Sequence, residues 1–193
     1  LSISEYSSLN VDKGIFPYNV PHYRSHQKHR INKAYNTHKD KKCQILSREQ
    51  YSFPKKEILI LKETMISLGI RKDNFLTNER LALIECLYNA GIIIINIMKK
   101  EGQVNGVNLL LKQSPSKFIF WIDLFDGTQM INIANYVNFI KVISSQRSVD
   151  IDFGRGRYFY KYSNFAPKFH ALYGIYIFPN TCQRFRFIIF EEV

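Results

Sequence analysis

The chain has 193 residues, enough for one sizeable domain, or two small ones, around a real apolar core. Lys and Arg number 27 against 16 Asp and Glu, a net charge of +11, and 46% of the residues are hydrophobic. This excludes a wholly disordered chain and favours a polyanionic partner, nucleic acid before membrane surface. Cys43, Cys86 and Cys182 are odd in number and widely spaced, which argues against a disulfide scaffold or a CxxC zinc site within the chain. The most apolar run, Gly91 to Met98, is far shorter than a membrane helix, and Lys99-Lys100-Glu101 closes it. Residues 1–20 lack the continuous apolar stretch of a secretory leader. Only six Ala stand against many Ile, Asn, Lys, Tyr and Phe, the bias of an A+T-rich coding sequence such as an organelle genome.

In chain order, residues 1–55 hold ten Lys or Arg against four acids, and also His22, His26, His29 and His38. Tyr23 to Lys42 has almost no aliphatic periodicity and reads as an extended basic arm, ordered mainly by its partner. A helix is predicted from Pro54, with Ile58, Leu61, Met65 and Leu68 on one face and Gly69 as its stop. A second helix starts at Thr77 as N-cap and ends at Gly91. Ile92 to Met98, Val107 to Leu111 and Phe118 to Phe125 read as strands, the last ending in the Asp126-Gly127 turn. Within 128–145, Ile133, Val137, Ile140 and Ile143 predict a short helix. Tyr158 to Tyr162, Gly174 to Phe178 and Phe187 to Phe190 read as closing strands.

The search for chemistry returns little. No GxSxG, Walker loop or GxGxxG is present, and Phe153-Gly-Arg-Gly-Arg157 precedes a strand, so it forms no helix-terminal phosphate cradle. Asp150-Ile-Asp152 places two carboxylates on one strand face, the best pair for a metal-dependent nuclease. His22, His26 and His29 with Cys43 could ligate zinc, but Arg24, Lys28 and Arg30 would repel the cation. The expectation is therefore no metal and no cofactor. Cations interleaved with rings carry a better signal: Arg155, Arg157, Tyr158, Tyr160, Lys161, Tyr162, Lys168 and His170 suit phosphates and bases together.

The same region resembles the C-terminal half of the bacterial-type small-subunit ribosomal protein eight, through Tyr160, Lys161, Pro167, Lys168, Ala171, Gly174 and Ile175. Gly156 matches that family's turn glycine, Thr77 to Gly91 resembles its helix ending in Leu-x-x-x-Gly, and Phe118 to Gly127 resembles its Leu-x-Leu-x-Leu strand ending in Phe-x-Gly. The family's Ser-Thr-Ser loop is replaced by Pro179-Asn-Thr-Cys-Gln183, and its Gly-Gly-Glu strand is missing. The resemblance implies an α/β fold in two parts. An N-terminal αβαββ-like half (56–127) precedes a mostly antiparallel β half with a short helix (128–193), behind a basic N-terminal extension (1–55). It implies a structural constituent of the small ribosomal subunit, located in mitochondria, that binds the central domain of ribosomal RNA. Neighbouring ribosomal proteins would adjoin it, with no catalysis, no membrane and no homo-oligomer. The RNA-binding residues it implies are Arg155, Arg157, Tyr160, Lys161, Lys168, Asn180, Thr181, Gln183, Arg184 and Arg186. Two alternatives remain: a nuclease-like enzyme using Asp150 and Asp152, and a structural subunit of another organelle complex.

Overall fold

The computed structural model describes residues 2–173 except Tyr18 and Arg157. The elements run β1 (Ser2–Val11), α1 (Ser25–Thr37), β2 (Lys42–Leu46), α2 (Lys55–Ser67), α3 (Asn78–Asn89), β3 (Ile93–Lys100), β4 (Gln103–Ser114) and β5 (Lys117–Phe125). There follow α4 (Ile131–Ser144), β6 (Val149–Arg155), a π-helical turn at Lys161–Phe165 and β7 (Lys168–Tyr173). The class is α/β, as expected from the sequence.

All seven strands join one sheet in the order β2-β3-β4-β5-β6-β1-β7. Every neighbouring pair is antiparallel except β5 and β6, which run parallel across the α4 crossover. Helices α2 and α3 cover one face, where Ile58, Leu61, Ile84 and Tyr88 meet Ile95, Val107 and Leu109. Helices α1 and α4 cover the other, packing Ile31, Val137 and Phe139 against Leu9, Leu110 and Ile151. Local signals behave as their chemistry dictates. Thr77 Oγ1 accepts the Arg80 N–H at 3.4 Å, and Gly91, at φ +74°, takes the left-handed position that ends α3.

Three segments differ from expectation. Residues 1–55 are threaded into the fold: β1 lies between β6 and β7, and α1 forms within the segment read as an arm. Its buried stripe is Gln27, Ile31 and Ala34, at helical spacing but led by an amide, so an aliphatic period does not reveal it. Tyr160 and Lys161, expected in a strand, lie in a helical turn and at the start of the π-turn. The region around Pro167-Lys168, where the ribosomal family carries a short helix, leads into β7. Pro167 sits just ahead of that strand, where its missing N–H costs no ladder bond. The expected strands Gly174 to Phe178 and Phe187 to Phe190, the loop Pro179 to Gln183, Arg184 and Arg186 lie outside the described residues.

Candidate functional site

Strands β5 and β6 stay paired for only three residues, Lys117 to Ile119 against Asp150 to Asp152. Beyond that they diverge, and two features hold them apart. The Asp152 carboxylate accepts the Gly154 N–H at 2.6 Å, and Gly154 itself sits at φ +72°, which turns β6 away. Rings then fill the base of the wedge: Phe120 stacks with Phe153 at 5.7 Å and meets Tyr136 of α4 at 4.2 Å, while Phe153 stacks on Phe165 at 4.9 Å. The result is a cleft of about 590 Å³ with Arg71, Phe75, Trp121, Tyr158 and Tyr160 on its walls. Along its β5 side, the register pairing with β6 ends at Ile119.

A line of buried polar side chains crosses the sheet and ends in this cleft. Asn96, Asn108 and Asp123 sit opposite one another on β3, β4 and β5, on the α4 face. The Asn96 amide donates to Asn108 Oδ1 at 3.3 Å and to Asn135 Oδ1 of α4 at 2.8 Å. Asn135 fits because Gly106 lies below it; a Cβ there would come within 3.4 Å of its amide nitrogen. The Asn108 amide donates to Asp123 Oδ1, and the Asn132 and Tyr136 side chains also hydrogen-bond this carboxylate. Tyr136 in turn hydrogen-bonds Tyr160. With the carboxylate as terminal acceptor, the protons run Tyr160 to Tyr136 to Asp123.

Burial dominates the electrostatics. It pushes the Asp123 carboxyl up to about 6, although Tyr136, Asn108, Asn132 and the charge of Arg71 all pull it down. The Tyr136 hydroxyl is held well above its usual range by burial and by the Asp123 charge. Tyr160 rises to about 12 for the same two reasons. Asp123 is enclosed by the sheet and half-opened only where it borders the cleft.

The residues expected from the sequence divide as follows. Arg155, Tyr160 and Lys161 all border this cleft. Lys161, however, is buried and turned inward. Its Nζ donates to the carbonyls of Gly154 at 3.0 Å, Arg155 at 2.8 Å and Gly156 at 3.0 Å, and burial lowers its pKa. It buttresses the turned end of β6, with its ammonium already occupied. Lys168 is exposed on β7, at a separate cleft. Arg157, Asn180, Thr181, Gln183, Arg184 and Arg186 lie outside the described residues. The Asp150 and Asp152 carboxylates accept from the Asn10 amide, at 2.7 Å, and from the Gly154 N–H. Among the described residues no three His, Cys, Asp or Glu gather as a metal site. Sequence reasoning missed Asn96, Asn108, Asp123 and Tyr136. The signal was there: each of three consecutive strands carries a polar residue amid its apolar run.

No protein-family model and no curated protein matches the chain. Solved structures do match. L-PGS from Bacillus licheniformis superposes with a TM-score of 0.63 at 10% identity, over 89% of this chain and 59% of that one. The C-terminal domain (DUF2156) of a candidate lysylphosphatidylglycerol synthetase from Agrobacterium fabrum gives 0.61 at 10%, over 89% and 58%. A conserved protein of unknown function from Bacteroides thetaiotaomicron VPI-5482 gives 0.50 at 17%, over 80% and 54%. The chain thus spans a little over half the length of each. These neighbours overturn the ribosomal reading, and with it ribosomal RNA and ribosomal proteins as partners. The implication that no catalysis occurs lapses with the resemblance that carried it. What the chain demonstrably shares with the lysylphosphatidylglycerol synthetase-type domains is their fold.

Proposed function

We propose that the cleft between β5 and β6 is an acyl-transfer site that moves an amine-bearing acyl group, of the aminoacyl kind, onto a hydroxyl acceptor. The observation that carries this reading is the relay from Tyr160 through Tyr136 to a carboxyl tuned to about 6, at the point where two parallel strands part. The acceptor hydroxyl gives its proton to Tyr160, whose own proton passes to Tyr136, and that of Tyr136 passes to Asp123. The acceptor oxygen then bonds the donor's carbonyl carbon, and the resulting oxyanion faces the cations Arg71 and Arg155 that line the cleft. When the tetrahedral centre collapses, the donor's C–O bond breaks and its leaving oxygen recovers the proton through the same relay. The rings of Phe75, Trp121, Tyr158 and Tyr160 can pack on an ammonium group of the acyl donor, against the like charge of Arg71 and Arg155 on the same walls. The likeness to lysylphosphatidylglycerol synthetase-type domains supports the same class, since that name describes lysine esterified to a lipid hydroxyl.

The test is transfer of radiolabel from lysine p-nitrophenyl ester to phosphatidylglycerol vesicles or to glycerol, with acetyl and leucyl esters as comparisons. Transfer should favour the lysyl ester, rise as pH passes through about 6, and fall at least ~100-fold in Asp123→Asn and Tyr160→Phe. Transfer that both substitutions leave unchanged, or no transfer to any acceptor, rejects the reading.

A further inference from the structure

A second cleft, of about 470 Å³, opens beside β1 at the far end of β6 from the first. We propose that Ser8 and His170 form a nucleophile–base pair there, one that accepts an acyl group from small activated esters. Ser8 lies on β1, which is laddered on both sides, and His170 lies on β7. Their side chains meet at 2.8 Å, Ser8 Oγ to His170 Nε2. Both partners are fixed. The imidazole stacks on Tyr6 at 4.7 Å with 21° between planes, so the ring keeps Nε2 aimed at the hydroxyl. For Ser8 to donate, His170 must carry its proton on Nδ1, the tautomer a general base requires.

The surroundings supply the remaining parts. Lys168 is the register partner of Ser8, so its side chain leaves the same face of the sheet and borders the cleft, where an ammonium suits a developing oxyanion. The Asp150 carboxylate, held by the Asn10 amide at 2.7 Å, offers a negative charge to balance the imidazolium. Ile15, Val20 and Pro21 form an apolar wall for a short acyl chain. His22 also borders the cleft, but its Nε2 is engaged with the Ala166 carbonyl at 3.2 Å.

In the acylation step, Ser8 Oγ bonds the ester carbonyl carbon while its proton moves to His170 Nε2. The C–O bond to the leaving group then breaks, and that oxygen takes the proton from the imidazolium. Water repeats the sequence, releasing the carboxylic acid and restoring Ser8. This chemistry is independent of the Tyr160 relay, so either assignment can fail without the other.

The test treats the whole chain with a fluorophosphonate and with p-nitrophenyl acetate, and locates adducts by peptide mass spectrometry. The expected result is an adduct on Ser8 that is absent in Ser8→Ala. His170→Ala should react at least ~100-fold more slowly and recover in part with added imidazole, which a purely structural histidine would not permit. No adduct on Ser8, an equal rate in His170→Ala, or a lost rate that imidazole leaves unrestored would each overturn the proposal.

Discussion

The two faces of the central strands are built from the same residues in alternation, yet they differ in kind. On the α2–α3 face, Ile93, Ile95, Ile97, Val107, Leu109 and Leu124 are all buried and all apolar. One residue over, on the α4 face, the sequence of partners includes Asn96, Asn108 and Asp123. A buried polar line of this sort adds little net stability and is costly if one member loses its partner. One face therefore holds the strands together, and the other uses that rigidity to place a proton relay. Alternation between the faces lets both tasks share three strands, and on β5 the extra residue at Trp121 brings Asp123 onto the same face as Phe118 and Phe120.

This division of labour can be broken from either side. The largest effect is expected on the apolar face: Leu109→Ala should cost about 3 kcal/mol in denaturant unfolding, while the folded fraction keeps its transfer activity. Next comes Asp123. Its folded pKa of about 6 exceeds the ordinary aspartate value of 3.8, so between these values the native state binds more protons than the unfolded one. Stability should therefore fall as pH rises from about 4 to about 6, by on the order of 2 kcal/mol. Asp123→Asn should flatten that slope and remove the pH dependence of transfer together, as parallel urea titrations and rate profiles would show. If the slope persists in Asp123→Asn, another group owns it.

Smaller effects sharpen the contrast. A Cβ at Gly154 meets nothing nearer than the Phe120 carbonyl, at 3.9 Å, so Gly154→Ala has room and suffers only from its φ of +72°. About 1 kcal/mol is expected, with a larger proportional loss of transfer because the end of β6 must relax. Thr77→Ala removes the α3 cap on the opposite face, at about 1 kcal/mol or somewhat less, given its long 3.4 Å bond. It should leave transfer intact. Equal losses of activity in these two variants would erase the distinction between the faces.

How much of this could be read beforehand follows the same line. Helices α2, α3 and α4 and strands β3 to β5 bury aliphatic side chains at regular spacing, so their periods announce them. Strand β1, with four serines, a glutamate and an asparagine, has no such period. It is held by the ladders of β6 and β7 on either side, a tertiary cause no local pattern carries. Lys161 misled for a related reason. Next to rings and arginines it reads as a phosphate contact, but three carbonyls from a turned strand end claim it first. The cleft itself was partly visible through Tyr160 and Arg155. Its carboxylate was not, because only strand register reveals that Asn96, Asn108 and Asp123 form one row.

The placement of β1 also sets the order in which the protein can be made. It leaves the ribosome first among the described strands, yet Asn10 bonds a residue 140 positions later and Ser8 one 162 positions later. Closing such loops is entropically expensive and slow, whereas the β3–β4–β5 meander needs only neighbouring residues. The meander and its helices can condense during synthesis while β1 waits. The strand that carries Ser8 is thus the last inner strand to be seated, and refolding should show a fast phase from the meander followed by a slow one from β1.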